Sequence, residues 1–397
     1  MDTTKKLEIL ADTIPQLYKS DAGKEQVSFV HGETTISRFS FRPLTPDLKT
    51  YKNNCIKLIK GAEEANYHFF TTKSDENRLR ELFALQWLSL KTGIEQVKLM
   101  GIIDYFYKLS SRTNENSFIS KNVIIDLDIS VDTSITNRNL QNFNIDKAID
   151  LLASGPFTYL LCSCDLEILE FSSANLSEVM DSTSYKFYPE FLHVLASLTT
   201  ERKVLFSLTG RGDLVVLMNE EMIASKRRGA WTVYDPRTFK NSMTDILADY
   251  RTGCNIYELL FDLSYKRHGG LIIFDSEDNF SNYIEQEEEF KNIFNHFVPD
   301  CSFKNTVLPV SAKRRLIELS SVDGAMVVNS SDGKLLGFGK IVKTHHDCPG
   351  QLGARTTAAF SACLYGGKAF KVSSDGDITS YFKATYSGDR VNKIKFL

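Results

Sequence analysis

The chain has 397 residues, of which 42% are hydrophobic and 24% are charged, and its formal net charge is −3. The apolar fraction is ample for packed cores, and the length predicts two or three domains. The balanced charge excludes the basic excess of proteins that bind nucleic acid non-specifically. We find no apolar run long enough to span a bilayer and no apolar signal core at the beginning. We therefore expect neither a membrane nor a nucleic-acid partner.

Seven cysteines are scattered along the chain, and their number is odd. The nearest two, Cys162 and Cys164, are separated by a single residue, which is too close for an ordinary zinc motif. This usage predicts free thiols in a reducing compartment, and so a cytoplasmic protein.

The first part of the chain predicts a mixture of helices and strands. Apolar residues at helical spacing favour a helix over 4–18, disturbed at Pro15, and a strongly amphipathic core helix over 77–92. Alternation over 26–41 predicts strands, and the apolar run 98–106 predicts a buried strand.

A strand predicted over 122–131 places Asp126, Asp128 and Asp132 on one face. Alternating acids of this kind either bind a divalent ion or form the solvent face of an edge strand. The segment 133–144 is rich in Asn and Thr and is typical of a boundary or a long loop. It divides the N-terminal half into regions 1–140 and 141–250, which alternatively form one unit.

A compact basic cluster, Lys226 to Arg228, precedes Trp231 in the second of these regions. Arginine beside an aromatic ring can bind a phosphate or a base. The alternative is a solvated strand end with a core tryptophan.

The C-terminal third carries the residues with the clearest chemical meaning. Asp323 and Gly324 stand at the entrance of a short apolar run, 325–328, which predicts a buried strand. A carboxylate beside glycine there either approaches a ligand or metal closely, or belongs to a plain turn. On the return strand, Phe338 between two glycines suits either contact with a flat base or a bulged strand with one core phenylalanine.

Further on, the segment 353–357 leads into a small-residue stretch that favours a helix. Backbone N–H groups, two hydroxyls and Arg355 converge there, as an anion site requires. The alternative is threonine capping beside a surface arginine. A strand over 369–373 ends near Asp375, which either joins Asp323 at a divalent ion or lies in a hairpin turn. The run from His345 to Cys348 is not expected to close around one zinc ion, because its four ligands are consecutive.

Taken together, these motifs resemble the diadenylate cyclase domain, which joins two ATP molecules into cyclic di-AMP. Asp323-Gly324-Ala325 matches the family's Asp-Gly-Ala, and the segment 353–359 aligns with its Gly-Thr-Arg-His-Arg-Ala-Ala. The segment 372–375 aligns with its Val-Ser-Glu-Glu, and 269–274 is similar to its first strand. The resemblance covers roughly residues 255–382.

The resemblance implies that Asp323 holds a metal near the attacking hydroxyl and that the arginine motif grips the triphosphate. Only Arg355 of the Arg-His-Arg triplet remains, because Thr356 and Thr357 replace the other two, and Ser374 stands where the family has a metal-binding Glu. Losing phosphate-binding cations weakens catalysis. The chain therefore resembles a diverged branch of the family proposed to act as nucleotide sensors.

These observations predict an α/β protein. An N-terminal α/β region is followed by a nucleotide-binding domain over 251–397, a twisted mixed sheet flanked by helices. The expected ligand is ATP or a cyclic dinucleotide, with Mg²⁺ or Mn²⁺ as cofactor, and a homodimer or an effector protein as partner. An active diadenylate cyclase and a non-binding scaffold are the alternatives. The predicted nucleotide-binding residues are Gly324, Ala325, Phe338, Gly353, Arg355, Thr356, Thr357 and Ser373. The predicted metal ligands are Asp323 and Asp375, with Asp323 also the catalytic residue of an active enzyme.

Overall fold

The computed structural model describes most of the chain and all ten predicted site residues. The described residues are 3–13, 26–31, 34–39, 46–64, 73–114, 117–130, 139–140, 150–175, 192–285, 301–304, 308, 310–350, 353–383 and 391–396. Among them, no helix combines the length and the apolar character needed to cross a bilayer.

The chain divides into two compact units, and its class is mixed α/β, as predicted. The first unit comprises Met1–Ile14, Ser28–Ile36 and Leu44–Pro236, and the second comprises Pro15–Val27, Ser37–Pro43 and Arg237–Leu397. The first unit contains most of the expected regions 1–140 and 141–250, whereas 15–27, 37–43 and 237–250 belong to the second unit. The second unit begins earlier than residue 251, because the helix that starts at Pro236 belongs to it.

The first unit is built on a seven-stranded mixed sheet. Its helices are α1 (Thr3–Thr13), α2 (Pro46–Glu64), α3 (Lys73–Thr92), α4 (Gln96–Ser110) and α5 (Leu192–Ala196). Its sheet strands are β5 (Lys121–Asp126), β6 (Thr158–Ser163), β7 (Ile168–Ser173), β8 (Lys203–Leu208), β9 (Leu214–Met218), β10 (Glu221–Arg227) and β11 (Ala230–Val233). Two small ladders join β1 (Gln26–His31) to β2 (Thr34–Phe39), and β3 (Thr113–Asn114) to β4 (Ser117–Phe118). The sheet order is β11-β10-β9-β8-β5-β6-β7, and only β5 and β6 run parallel within it.

The prediction of a buried strand over 98–106 was wrong, because this segment lies in helix α4. Its buried residues follow helical spacing, since Leu99, Ile102, Phe106 and Leu109 point to one side. Over a short stretch, apolar residues as dense as these also fit the pattern of a buried strand. The helical period of 3.6 residues is distinguished from the strand period of two only when the sequence is followed to residue 110.

The acidic strand β5 is central rather than an edge, and all six of its residues are buried. Asp126 lies within 3.3 Å of the Lys203 ammonium, and Asp128 pairs with Arg202 at 2.8 Å. These carboxylates therefore have cationic partners of the protein itself. Asp132 lies outside the described residues.

The second unit contains a six-stranded mixed sheet with helices on both faces. Its helices are α6 (Pro236–Leu247), α7 (Tyr250–Lys266), α8 (Glu277–Phe280), α9 (Val310–Ser320) and α10 (Ala354–Leu364). Its strands are β12 (Gly270–Asp275), β13 (Ala325–Asn329), β14 (Leu335–Lys340), β15 (Lys368–Val372), β16 (Ile378–Lys383) and β17 (Val391–Lys395). The order is β14-β13-β12-β15-β16-β17, and only β12 and β13 are parallel.

Alternation along the central strand β12 explains why helices cover both faces. Leu271 and Ile273 join a core cluster with Ala359 and Ala362 of α10. Gly270, on the other face, lies against α7 and the end of α9, since a Cβ there would meet Ser320 and Leu263. A strand buried on both faces is expected to be continuously apolar, as 271–274 is.

The strand directions bring several chain segments to one edge of this sheet. β12 and β13 begin at this edge because they are parallel, with Ile272 opposite Met326. β14 and β15 run antiparallel to them and therefore end there. Residues just before β13 and just after β15 are consequently neighbours, although the sequence separates them widely.

Candidate functional site

A cleft of about 800 Å³ opens at this edge of the second unit. Its volume lies within the roughly 300–1,000 Å³ typical of small-molecule sites. The lining residues are Leu271, Glu285, Asp323, Gly324, Lys340, Ile341, Val342, Thr344, Gly353, Ala354, Arg355, Thr356, Thr357, Ala358, Lys371, Ser373 and Ser374. Seven of the ten predicted site residues are among them: Asp323, Gly324, Gly353, Arg355, Thr356, Thr357 and Ser373.

Asp323 stands at the mouth of β13 because Gly324 packs against the end of β14. Gly324 has a φ of +104°. A Cβ added to it would lie 2.5 Å from the carbonyl carbon of Gly339. The two glycines therefore allow the two backbones to touch, rather than a base to approach as the sequence suggested for Gly339. The Asp323 side chain is 99% exposed and faces the cleft.

Arg355 enters the cleft from the first turn of α10. Gly353 is the N-cap of this helix and supplies no side-chain cap, so the helix start is open to a ligand. The Arg355 guanidinium lies 3.3 Å from the Asp323 carboxylate. Gly269 leaves room for it, because a Cβ there would lie 2.4 Å from Arg355 Nη1. The ion pair is solvent-exposed, so it adds little stability and leaves Arg355 able to change partners.

The threonines of the same turn are also in place. The Thr356 and Thr357 backbone N–H groups donate to the Gly353 carbonyl at 2.8 and 3.0 Å, which closes the first turn. The Lys371 ammonium, from β15, donates to Thr356 Oγ1 at 2.9 Å. The threonines and this lysine thus form one continuous polar wall of the cleft.

Ser373 lines the cleft at the end of β15, but Asp375 does not. The segment 373–377 is a hairpin turn, in which the Gly376 N–H donates to the Ser373 carbonyl at 2.8 Å. Asp375 is exposed in this turn. The structure therefore does not bring Asp375 and Asp323 together in the cleft, and the hairpin alternative describes this segment.

Ala325 and Phe338 lie in the core instead of the cleft. Ala325 is fully buried and joins the cluster that contains Leu271 and Val327. Phe338 is 5% exposed and is not among the cleft-lining residues. The structure therefore matches the bulged-strand alternative, with Phe338 as a core side chain that has no access to a base in this cleft.

Sequence reasoning missed three charged residues of the cleft: Lys340, Lys371 and Glu285. A lysine on a strand is ordinarily assigned to a solvent face, so Lys340 and Lys371 gave no local signal. Glu285 begins an acidic run, 285–289, whose composition is typical of an exposed helical face. Its N–H donates to the Ile341 carbonyl at 2.9 Å, which holds it beside β14. Residues 286–299 lie outside the described residues.

A buried network fixes the far end of α10. Asn279 donates to the Tyr365 carbonyl at 2.9 Å and to Asp275, and the Tyr283 hydroxyl also donates to Asp275. Burial and the neighbouring Asp275 carboxylate raise the pKa of Tyr283, which therefore stays a proton donor. Tyr283 stacks on Tyr365 at 4.8 Å between ring centroids. This network anchors the helix whose first turn carries Arg355.

The loop before α10 brings three potential metal ligands together. One ligand atom each of His345, His346 and Asp347 lies within 4.8 Å of the others. The Asp347 N–H donates to His345 Nδ1 at 3.1 Å, so that nitrogen already has a proton donor. His346 and Asp347 are largely exposed. None of the three lines the cleft.

The basic and aromatic cluster of the first unit is engaged internally. Trp231 is fully buried, and its indole N–H donates to the Tyr107 hydroxyl at 2.9 Å. Lys226 lies over the Tyr107 ring, 3.4 Å from its centroid, and 3.5 Å from the Glu81 carboxylate. Burial lowers the pKa of Lys226, against the opposing effect of Glu81. The core-tryptophan alternative therefore describes this segment.

No protein-family model and no curated protein matches this chain. Among solved structures, it is similar to a hypothetical membrane-spanning protein from Bacillus cereus. The identity is 15% and the TM-score 0.27, over 40% of this chain and 74% of that one. It is also similar to a double mutant of DacA from Staphylococcus aureus. There the identity is 16% and the TM-score 0.21, over 35% of this chain and 83% of that one. Both TM-scores are below 0.5, so they do not establish a shared fold.

Proposed function

We propose that the second unit binds a phosphorylated nucleotide, ATP or a cyclic dinucleotide, in the cleft at the start of β13. The observation that carries this proposal is the convergence of Arg355, Lys340 and Lys371 with the open first turn of α10. Cations and helix N-terminal amides are the groups that bind phosphate in proteins. The motif resemblance to diadenylate cyclases agrees with this ligand class.

The biological role that we favour is that of a nucleotide sensor. The triphosphate-gripping triplet of the cyclase motif has become Arg355-Thr356-Thr357, so two positions of the first turn offer hydroxyls. Hydroxyls hold a phosphate by hydrogen bonds but supply no charge to a transition state. Binding without turnover is therefore the expected behaviour, and synthesis of cyclic di-AMP is the enzymatic alternative.

We expect a divalent ion to bind in this cleft only together with the nucleotide. Mg²⁺ is commonly held by one or two carboxylates together with phosphate oxygens and water. Asp323 is an exposed carboxylate in the cleft, and Glu285 is the second carboxylate among the lining residues. We propose Asp323 as the protein ligand of Mg²⁺ or Mn²⁺ bound with a triphosphate. Asp375 has no part in this proposal.

The test is calorimetric titration of the protein with ATP and with cyclic di-AMP, in the presence of Mg²⁺ or Mn²⁺, followed by chromatography of the same samples. Binding without a new product supports the sensor. Formation of cyclic di-AMP from ATP makes the protein a cyclase. If neither nucleotide binds, the proposed function fails and the scaffold alternative remains.

Arg355→Ala is the decisive variant, with Arg251→Ala as its matched control. Both remove one positive charge from the second unit, but Arg251 is exposed on α7 and is not among the cleft-lining residues. Hydrogen bonds to charged groups contribute about 1.5–3 kcal/mol, so Arg355→Ala should weaken binding by about 10- to 150-fold. Equal affinities of the two variants would remove Arg355 from the site.

A further inference from the structure

The loop between β14 and α10 contains a turn that brings His345, His346 and Asp347 together. The Cys348 N–H donates to the His345 carbonyl at 3.0 Å, which closes the turn. The Asp347 Oδ2 atom lies 3.2 Å from His346 Nε2 and 3.7 Å from His345 Nδ1. One carboxylate oxygen is therefore close to a nitrogen of each imidazole ring.

His345 anchors this group to helix α10. Its backbone N–H donates to Ser361 Oγ at 3.1 Å, and the edge of its ring contacts Tyr365, with 4.7 Å between ring centroids. The His346 ring stacks on the His345 ring at a centroid distance of 4.2 Å. The His345 side chain is 14% exposed, whereas those of His346 and Asp347 are 82% and 67% exposed. The group thus combines one fixed side chain with two that an ion can reach directly from solvent.

The distances within the group fit a tetrahedral metal ion. Zinc binds nitrogen and oxygen at about 2.0–2.2 Å, which places neighbouring tetrahedral ligands about 3.4 Å apart. The carboxylate lies at 3.2 and 3.7 Å from the two imidazole nitrogens, close to this value. One ligand atom from each of the three residues lies within 4.8 Å of the other two. Small rotations of the two exposed side chains are therefore enough to bring all three to one ion.

The Nδ1 atom of His345 carries the lone pair that a metal requires. The Asp347 N–H donates to this nitrogen at 3.1 Å, and an imidazole nitrogen that accepts a hydrogen bond holds no proton. The proton of the neutral ring is therefore on Nε2. A metal at Nδ1 replaces one neutral hydrogen bond, whereas a metal at Nε2 would require the proton to move to Nδ1, against the Asp347 N–H. Nδ1 is consequently the ligand atom of His345.

The types of ligand atom in the group favour a particular class of ion. Imidazole nitrogen suits zinc and its neighbours among the transition metals, whereas Mg²⁺ and Ca²⁺ prefer oxygen ligands. The sequence argued against zinc on the ground that four consecutive ligands do not close around one ion. The structure brings only three of the four together, because the Cys348 thiol lies 3.8 Å from the Thr357 carbonyl and is not in the group. Three protein ligands leave the fourth tetrahedral position open.

We propose that His345, His346 and Asp347 bind one Zn²⁺ ion, with water in the fourth position. None of the three residues lines the nucleotide cleft, so this site is separate from it. The Zn²⁺ site is also distinct from the Mg²⁺ or Mn²⁺ position proposed at Asp323. The inference therefore does not depend on the proposed function.

The test is calorimetric titration of the metal-free full chain with Zn²⁺ and, separately, with Mg²⁺. His346→Ala and Asp347→Asn each change a ligand that is exposed, so neither disturbs the core. Their matched controls are His268→Ala and Asp278→Asn, since both residues are exposed in the second unit and lie outside the group. Cys348→Ser asks whether the thiol contributes. Circular dichroism checks that each variant is folded.

We expect a Zn²⁺ ion to bind at this site and Mg²⁺ to bind there more weakly. Residues that only orient metal ligands change metal affinity by about 10- to 100-fold when they are mutated, so His346→Ala, which removes a ligand, should weaken Zn²⁺ binding by at least about 100-fold. Asp347→Asn removes the charge but keeps an oxygen, and should weaken Zn²⁺ binding by at least about tenfold. The two controls and Cys348→Ser should retain the affinity of the unmodified protein.

Co²⁺ provides a spectroscopic check of the geometry. Tetrahedral Co²⁺ absorbs visible light much more strongly than octahedral Co²⁺, so Co²⁺ in place of Zn²⁺ should give a visible band that His346→Ala abolishes and His268→Ala retains.

Three outcomes would overturn the proposal. The first is that the unmodified protein binds no Zn²⁺. The second is that His346→Ala binds Zn²⁺ as tightly as His268→Ala does, which would place the ion elsewhere. The third is that Cys348→Ser loses as much affinity as His346→Ala, because the ion would then be held by the thiol rather than by the three proposed ligands. None of these outcomes bears on nucleotide binding in the cleft.

Discussion

The two units of this protein each place a lysine at a sheet, but in different surroundings. Each unit has a mixed sheet with one parallel pair, β5 with β6 and β12 with β13. In the first unit, Lys226 lies between the Tyr107 ring and the Glu81 carboxylate. In the second, Lys371 lines an open cleft and donates to the Thr356 hydroxyl at 2.9 Å.

The two lysines differ in the space that adjoins them. The hollow beside Lys226 measures about 230 Å³, whereas the cleft beside Lys371 measures about 800 Å³. Burial lowers the pKa of Lys226, and the Glu81 carboxylate opposes this shift. The Trp231 indole N–H completes the network by donating to the Tyr107 hydroxyl. A lysine that packs on an aromatic ring and pairs with a carboxylate, as Lys226 does, is structural. A lysine that adjoins a large open cleft, as Lys371 does, is a candidate ligand contact.

The largest expected effect comes from breaking the contact that shapes the cleft. Gly324→Ala should lower the free energy of unfolding by roughly 3 kcal/mol, because the residue has a φ of +104° and its Cβ would overlap the Gly339 backbone. Urea denaturation measures this loss. Gly350→Ala is the control, since a Cβ at Gly350 meets no atom within 4 Å. A loss no larger than that of Gly350→Ala would show that the close approach is not required.

The second unit contains a buried acidic side chain, whereas the partly buried lysine of the first unit is paired with a carboxylate. Asp262 is 2% exposed on α7, and its Oδ2 atom has no hydrogen-bond partner. Burial, with a contribution from Glu258, raises the pKa of Asp262 well above its usual value, while Lys313 and Lys266 oppose the shift. An acid whose folded-state pKa is raised stabilises the fold below its unfolded pKa. That contribution is lost as the pH rises towards the folded value.

Asp262→Asn should therefore stabilise the second unit at neutral pH. The difference in unfolding free energy between variant and unmodified protein should grow from pH 5 upwards, by at most about 1.4 kcal/mol per pH unit, until it levels off. Urea denaturation between pH 5 and pH 8 measures it. A difference that is constant over this range would mean that Asp262 does not titrate differently in the folded protein.

A smaller effect is expected where a glycine only makes room for a flexible side chain. Gly269→Ala would place a Cβ 2.4 Å from Arg355 Nη1, so the guanidinium must move. We expect ATP affinity to fall by about tenfold, the loss of one charge-assisted contact. Unfolding free energy should change by less than about 1 kcal/mol, because the end of an arginine side chain can relocate. An unchanged ATP affinity would show that ligand binding does not depend on the position of the Arg355 guanidinium.

The smallest effect concerns Lys226 and tests the contrast between the units directly. Lys226→Met keeps the apolar stem and removes a partly buried charge, so the unfolding free energy should change by less than about 1 kcal/mol. ATP affinity should be unchanged, whereas Lys371→Gln lowers it. The contrast would be broken if calorimetry gave the two variants the same loss of affinity.

Much of the candidate site was predictable because its residues are local in sequence. Asp323-Gly324 before an apolar run and 353–357 before a small-residue helix each carry a recognisable turn or helix start. Both segments reach the cleft. Ala325 and Phe338 are not among the residues that line the cleft, and a motif does not reveal which of its side chains face inwards.

The sequence by itself determined the mixed α/β class and helix α3, since hydrophobic periodicity over several turns is a local property. It also determined the segments that carry Asp323 and Arg355. The tertiary structure alone decided that Lys340 and Lys371 stand in the same cleft as these residues. The physical reason is strand direction, because β14 and β15 end at the edge where β12 and β13 begin. No local pattern records which strand ends will become neighbours, so the charge of the cleft emerges only once the sheet is assembled.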